Sequence, residues 1–422
     1  MTSIFMLMIK TRFLLLGLLF MNQISFSQTG IFHWADEDEE MIHNRIIDIK
    51  QLSDQSLVVL SKLEDENYEN MFPAITKMRT NGDMILSKFI ERYHLYELNG
   101  ALIQPDQNIR IFGTEMSTTN GLTPYYDWIS QLGLVIPTKS TMSAQPTFIG
   151  DLQMIGDAAV ILKSVINKSK KYNLIVNKII PSLTDSVLWT CKIESAHHEE
   201  GNKIVFLDDG AILILARSYT DETMDHFTAV IYKISKAGKL LWSKELSDVK
   251  DYFSHSLLTD HSGNLIYSFS FSDDENGECH TMMRKLDADA KMISEKRIDG
   301  IRSNSMIQLT NGNVLIAGCG FVDYPEYFLT KAKNLVLSNS DFSVVNEFGL
   351  SSQTQPETDF PVQEIAYMPA SSEYFCATLL TDGTVSLGGR ALLPIKSDPL
   401  KLLKSPRRNE NLLVILNDKG EL

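Results

Sequence analysis

Ile234-Ser-Lys-Ala-Gly238-Lys-Leu-Leu-Trp242-Ser-Lys-Glu-Leu246 reads as the end of an apolar strand, a polar turn closed by Gly238, and a second strand. Similar turns followed by strands recur at Gly30, Gly82, Gly133, Asp185, Gly238, Ala290 and Phe342, spaced by 52, 51, 52, 53, 52 and 52 residues. The second and third positions after each anchor are Phe32/His33, Met84/Ile85, Val135/Ile136, Val187/Leu188, Leu240/Leu241, Met292/Ile293 and Val344/Val345. Thirteen of these fourteen are apolar, against about half expected from average composition, so the spacing is a structural period. Trp34, Trp189 and Trp242 share the next position.

A second anchor moves in step with the first. Strands open at Ser56, Asn108, Ala158, Ala211, Asn264, Asn313 and Glu373. Several follow a pair such as Asp209-Gly210, Ser262-Gly263 or Asn311-Gly312, which supplies the positive φ that a tight hairpin needs. The runs are short, β-branched or aromatic, and bounded by turn residues, which is the pattern of strands. Each unit has room for four antiparallel strands, A to D from the inside outward, with the Gly238-type turn joining C to D. One such sheet cannot bury both its faces alone, whereas seven packed around an axis bury them against one another. The sequence predicts an all-β, seven-bladed β-propeller.

The last unit is expected to place strand A near Gln363–Tyr367, B near Tyr374–Leu379 and C at Leu412–Leu416. Its D strand is missing there. At the other end, Gly30-Ile-Phe-His-Trp34 precedes the first A strand near Arg45–Leu52, and is expected to pair with Leu412–Leu416 and tie the ring shut.

Lys10 and Arg12, the apolar run Phe13–Met21, and the small residues Ser25 and Ser27 follow the order of a secretory signal cut after Ser27. The expected organisation is therefore a signal over 1–27 and one propeller domain over 28–422, secreted or periplasmic. Loss of Lys10 and Arg12 takes the formal charge from −14 to −16, which disfavours nucleic acid as a partner. No later stretch is long and apolar enough to span a bilayer. A monomer is expected. Cys191, Cys279, Cys319 and Cys376 are too far apart for a CxxC or zinc-knuckle pattern; one disulfide is allowed, with no pairing assigned.

Propeller loops sort by face: A–B and C–D turns on one, B–C and D–A connections on the other. The second set is read as the longer one and carries the acidic runs. Asp36 and Asp38 belong to the D–A connection that enters the first blade, Asp221 and Asp225 to the fourth B–C loop, and Asp273 and Asp274 to the fifth. Glu64–Glu66 and Glu69 are placed in the first B–C loop, and His197 and His198, before Glu199-Glu200, in a D–A loop. The last B–C connection, roughly 380–410, holds Gly388-Gly389 and a basic patch that includes Arg407 and Arg408. The acidic rim is expected to be the binding face, suited to a cationic partner or to Ca²⁺, with no other cofactor.

No EF-hand loop, HExxH, GxSxG, Walker A or dinucleotide fingerprint stands in a suitable context. The unit running through an Asp/Asn-Gly turn to Gly238-Lys-Leu-Leu-Trp242 resembles repeats of secreted bacterial propellers, including quinoprotein-like blades that end in Gly-x-x-x-Trp; Gly30–Trp34 carries both residues too. The resemblance covers nearly all of residues 28–422 as architecture. Quinone-dependent dehydrogenases of that kind have eight blades and an adjacent Cys-Cys pair, neither of which this chain has, so no cofactor or catalytic residue is carried over. The leading expectation is a non-catalytic binding scaffold for a protein or glycan. The competing one is a hydrolase or lyase with a site near the axis, marked by a deep pocket of converging groups with shifted pKa values.

Overall fold

Each anchor of the repeat answers a backbone requirement. In the computed structural model Gly82, Gly133 and Gly238 take φ of 89°, 76° and 80°, the left-handed region that closes the C–D turn. Ala290 and Phe342 hold the same station at 58° and 54° and are both 1% exposed, so core packing offsets the cost of a Cβ there. At Gly238 glycine is required twice over, since a Cβ would lie 2.7 Å from the ring of Trp189 in the preceding blade. The residues after the anchors open the outermost strands, where Val187 and Leu188 remain 58% and 54% exposed. The 52-residue period thus marks outer edge strands, and the core lies inward of them.

The structure describes residues 30–34, 41–65, 71–90, 95–117, 121–130, 133–137, 145–181, 185–221, 223–224, 226–250, 252, 254–272, 279–324, 327–349, 371–394, 407–417 and 419. The expected signal, 1–27, lies outside them. The first strand is β1 (Gly30–Trp34). Blade 1 follows as β2 (Met41–Gln51), β3 (Leu57–Asp65), β4 (Met71–Met78) and β5 (Met84–Phe89). Blade 2 is β6 (Leu95–Ile103), β7 (Ile109–Ser117), β8 (Gly121–Ile129) and β9 (Val135–Pro137). Blade 3 is β10 (Thr147–Ile155), β11 (Ala158–Ile166), β12 (Tyr172–Ile180) and β13 (Ser186–Ile193). Blade 4 is β14 (His198–Phe206), β15 (Ile212–Tyr219), β16 (Phe227–Ile234) and β17 (Leu240–Lys250). Blade 5 is β18 (Ser254–Thr259), β19 (Leu265–Ser272), β20 (Cys279–Leu286) and β21 (Met292–Asp299). Blade 6 is β22 (Arg302–Gln308), β23 (Val314–Tyr324), β24 (Tyr327–Leu337) and β25 (Val344–Gly349). Blade 7 is β26 (Ser371–Leu379), β27 (Val385–Pro394) and β28 (Arg407–Leu416), completed by β1.

All seven blades are antiparallel, and the A strands contact one another in sequence around a closed ring, with β26 touching β2. Closure follows the expected pairing of β1 with β28, in a register where Ile31 faces Val414, Phe32 faces Leu413 and His33 faces Leu412. Hydrophobic clusters bridge every pair of neighbouring blades. The one that shuts the ring joins Ile46, Ile49, Leu57 and Val59 of blade 1 to Cys376, Leu413 and Ile415 of blade 7.

Blade 7 departs from the sequence expectation. The segment read as its B strand is the innermost strand β26, and Gly388 and Gly389, read as loop, lie in β27, paired with Leu413 and Leu412. Gly388 permits this because a Cβ would meet Ile46 Cγ2 at 2.5 Å and Cys376 Sγ at 2.7 Å. Gln363–Tyr367, read as strand A, lies outside the described residues. The loops also sort less cleanly than expected. A–B and C–D turns are near-uniform, while B–C and D–A connections vary from the two residues between β23 and β24 to the twenty-one between β25 and β26. All four cysteines are buried, and none forms a disulfide.

Blades are also pinned by charge. Asp260, in the A–B turn of blade 5 with its side chain closed to solvent, pairs with Lys285 at 2.9 Å. Lys285 donates to the Asn339 carbonyl of blade 6 at 3.2 Å, and Asn339 Nδ2 donates back to Asp260 at 3.2 Å. Burial pushes the Asp260 carboxyl up, but donation from Lys285, Asn264 and Asn339 outweighs it and leaves the pKa at about 2. A depressed carboxylate stabilises the fold above its ordinary pKa of 3.8, and that contribution fades as pH falls towards about 2. Asp260→Asn is expected to cost about 2 kcal/mol at neutral pH and to flatten the acid limb of stability between about pH 4 and 2. Melting curves across that range test this; an unchanged acid limb refutes it.

Candidate active site on the propeller axis

A bulge breaks most of the A strands at one common height; β18 of blade 5 pairs without one. Register shifts fall between Ile46 and Asp48, Leu98 and Gly100, Ile149 and Asp151, Gly201 and Lys203, and Ser303 and Ser305. The bulged residues are Ile47, Asn99, Gly150, Asn202 and Asn304, and an extra residue here re-aims the side chains before it. Two positions earlier stand Arg45, Glu97, Phe148 and Glu200, spaced by 52, 51 and 52. They face Lys62, Thr114, Ser164 and Arg217 on the neighbouring strands.

This layer lines one cavity of about 620 Å³ shared by blades 1 to 4. Its walls include Arg45 and Lys62, Glu97 and Asn99, Phe148 and Tyr172, and Glu199, Glu200 and Asn202. The inner backbones touch: a Cβ on Gly150 would lie 1.8 Å from the Gly201 carbonyl oxygen. Two aspartates just past the bulges hold the blades in place. Asp48 accepts from the Ala101 N–H at 3.0 Å, and Asp151 accepts from the Ile204 N–H at 2.8 Å.

Two carboxylates of this layer stand in different surroundings. Glu97 opens onto the cavity but is walled by protein; that desolvation, and then the charge of Glu200, raises its pKa above the ordinary 4.5, against donation from Asn99 and the cations Lys62 and Arg45. Glu200 accepts from the Tyr219 hydroxyl and from Asn202 Nδ2 at 3.2 Å, and pairs with Arg217 Nη1 at 3.8 Å. Beside it Glu199 is 1% exposed and accepts from Ser218 Oγ at 2.9 Å; burial pushes its pKa up. Lys62 pairs with Glu64 at 2.6 Å, and burial, then the charge of Arg45, lowers its ammonium pKa.

Along one wall runs a file of rings. Tyr96 and Phe148 have centroids 6.0 Å apart, Phe148 and Tyr172 5.1 Å, and Tyr172 and His198 5.9 Å. Among the described residues no group of three His, Cys, Asp or Glu side chains gathers as a metal site.

Of the residues singled out from the sequence, His198 comes next to this cavity: it starts β14, and its Nδ1 accepts from the Tyr172 N–H at 3.4 Å. The stretch His198–Glu200 is strand and not loop, as is Glu64. His197 is exposed just before β14, and Asp221 is half-buried beyond β15. Arg407 and Arg408 belong to β28, paired with Pro394 and Leu393, in place of the loop expected there. Asp36, Asp38, Asp225, Asp273 and Asp274 lie outside the described residues. Arg45, Glu97 and Phe148 went unread, although their spacing repeats the period already found.

No family model matches the chain, and no curated protein matches it. Among solved structures it is similar to the α-L-arabinofuranosidase Arb93A of Fusarium graminearum, at 15% identity over 74% of this chain and 98% of that one, with a TM-score of 0.46. It is similar to the periplasmic gluconolactonase PpgL of Pseudomonas aeruginosa at 12% identity, 76% and 86% coverage, and a TM-score of 0.45. It is also similar to Drosophila Plexin A in complex with Semaphorin 1b at 8% identity, 92% and 88% coverage, and a TM-score of 0.44. At such identities no residue role passes from them to this chain. The expectation of a non-catalytic scaffold is nevertheless corrected, on the cavity described above. The chain's own geometry meets the mark set for an enzyme, an axial cavity with converging Glu, Lys and Arg groups and shifted pKa values.

Proposed function

We propose that the chain is an exported propeller hydrolase that cleaves its substrate by acid–base chemistry in the axial cavity. Glu97 is the proton donor and Glu200 the carboxylate working opposite it. The observation that carries this is the placing of both groups at one strand register, two blades apart, on one cavity, with Glu97 kept protonated to higher pH by desolvation and by the Glu200 charge.

In the reaction Glu97 gives its proton to the leaving oxygen as that bond breaks. Water adds to the other side of the bond and yields a proton to Glu200, and solvent returns the proton to Glu97. Tyr219, Arg217 and Asn202 position Glu200 for this. A lyase reading would turn on Lys62 as base, and its engagement with Glu64 at 2.6 Å argues against that. Export rests on the leader-like residues 1–27.

The test is hydrolysis of chromogenic aryl glycosides and aryl esters by the native chain and by Glu97→Gln and Glu200→Gln. Cleavage that survives both substitutions overturns the assignment.

A further inference from the structure

The same layer that holds the two carboxylates places an aromatic ring between them. Blades 2, 3 and 4 contribute Glu97, Phe148 and Glu200 at equivalent positions, so a ligand bridging the carboxylates passes over Phe148. Phe148 is the middle of a continuous wall: Tyr96 flanks it at 6.0 Å and Tyr172 at 5.1 Å, with planes inclined by 61° and 58°. The wall is offered to solvent. Tyr96 is 47% exposed, whereas Tyr125, Tyr126, Tyr219, Tyr232, Tyr252 and Tyr267 are all 7% exposed or less. The exposed Tyr96 ring, continuous with Phe148 and Tyr172, leaves an aromatic surface on the cavity wall that a ligand can cover.

Polar groups share the lining, with Arg45, Asn99, Ser164 and Asn202 supplying donors and acceptors around the carboxylates. One class of molecule matches an apolar strip edged by such groups: a sugar ring, whose C–H face is apolar and whose rim is hydroxyl. A wholly apolar ligand would shut the charged groups of Arg45 and Glu200 off from water and offer them nothing in return. A phosphate would sit against Glu199 and Glu200. The volume of about 620 Å³ lies within the range of sites that enclose a small ligand.

We propose that the substrate is a carbohydrate, with a sugar ring stacked on the Tyr96–Phe148–Tyr172 wall and the bond to be cleaved held between Glu97 and Glu200. This inference rests on the acid–base reading of the same cavity, and the experiment separates the two. Full-length Glu97→Gln protein is titrated by calorimetry and saturation-transfer NMR with arabino-, xylo-, cello-, manno- and galacto-trisaccharides and with trigalacturonate. At least one is expected to bind. Tyr96→Ala and Tyr172→Ala should each weaken that binding about tenfold or more, from lost stacking and apolar contact, while Tyr96→Phe retains it within about twofold. Tyr96 is solvent-exposed, so its substitution leaves the fold intact, and an unchanged melting temperature verifies this.

The proposal is overturned if no member of the panel binds, or if binding is indifferent to both alanine variants. It is overturned separately if aryl esters are cleaved in a Glu97-dependent manner with no sugar bound; the acid–base reading then survives. Sugar binding that depends on the wall, with no cleavage by the native chain, supports the carbohydrate site and removes the hydrolase assignment.

Discussion

Glu97→Gln is expected to lower kcat by about 10²- to 10⁴-fold, with KM little changed, because the amide keeps the shape of the carboxyl but has no proton to give. Glu200→Gln is expected to cause a loss of the same order by removing the proton acceptor. Their pH profiles distinguish the roles. Glu97 works protonated, so activity falls as pH rises through its pKa, and desolvation followed by the Glu200 charge places that limb above the ordinary 4.5. Removing the neighbouring charge in Glu200→Gln lowers the Glu97 pKa, so the residual activity of that variant loses its alkaline limb at lower pH than the native protein does. A limb that stays in place, or a Glu97→Gln enzyme within a few-fold of native, refutes the assignment.

Deleting residues 30–34 is expected to be the most damaging change to the fold. It strips β28 of its outer partner along the register from Gly30–Ile415 to Trp34–Asn411. The ladder bonds lost contribute about 1 kcal/mol each, and the sheet that carries Leu413 and Ile415, both fully buried, becomes an open edge. A total loss of about 4–6 kcal/mol is expected, since the cluster that joins Ile46 and Val59 to Cys376 and Ile415 depends on blade 7 standing in register. A permuted chain that begins at Met41 and carries residues 28–40 after Leu422 supplies the same strand through an ordinary C–D hairpin. It should recover nearly all of the loss. If the deletion melts within a degree or two of the full chain, or the permutant fails to recover, β1 is not the closing strand.

How far the sequence is legible depends on which interactions repeat. The turn anchors were legible because left-handed backbone selects glycine, and where Ala290 and Phe342 replaced it the spacing still held. Blade 7 was not. Twenty-one residues separate β25 from β26, so the spacing that located the other six blades slipped by one strand. The site was legible in part. Arg45, Glu97 and Phe148 carry the period as clearly as the turn glycines do, but they differ in chemistry, and a search for like residues passes over them; Glu200 was read, but as part of a loop. Acidic runs in loops drew notice instead, because charge density stands out in a sequence whereas burial does not.

By itself the sequence determined that the chain makes seven four-stranded sheets and that its ends share one of them, because turn chemistry and strand patterning act over a few residues and repeat at each copy. Only the tertiary structure decided which side chains meet. Glu97 and Glu200 are 103 residues apart and come to one cavity because a bulge in each of their A strands turns them towards the axis, where Gly150 and Gly201 let the inner backbones touch. The raised pKa of Glu97 follows from that convergence, since desolvation and the field of a second carboxylate belong to the assembled ring and to no segment of the chain.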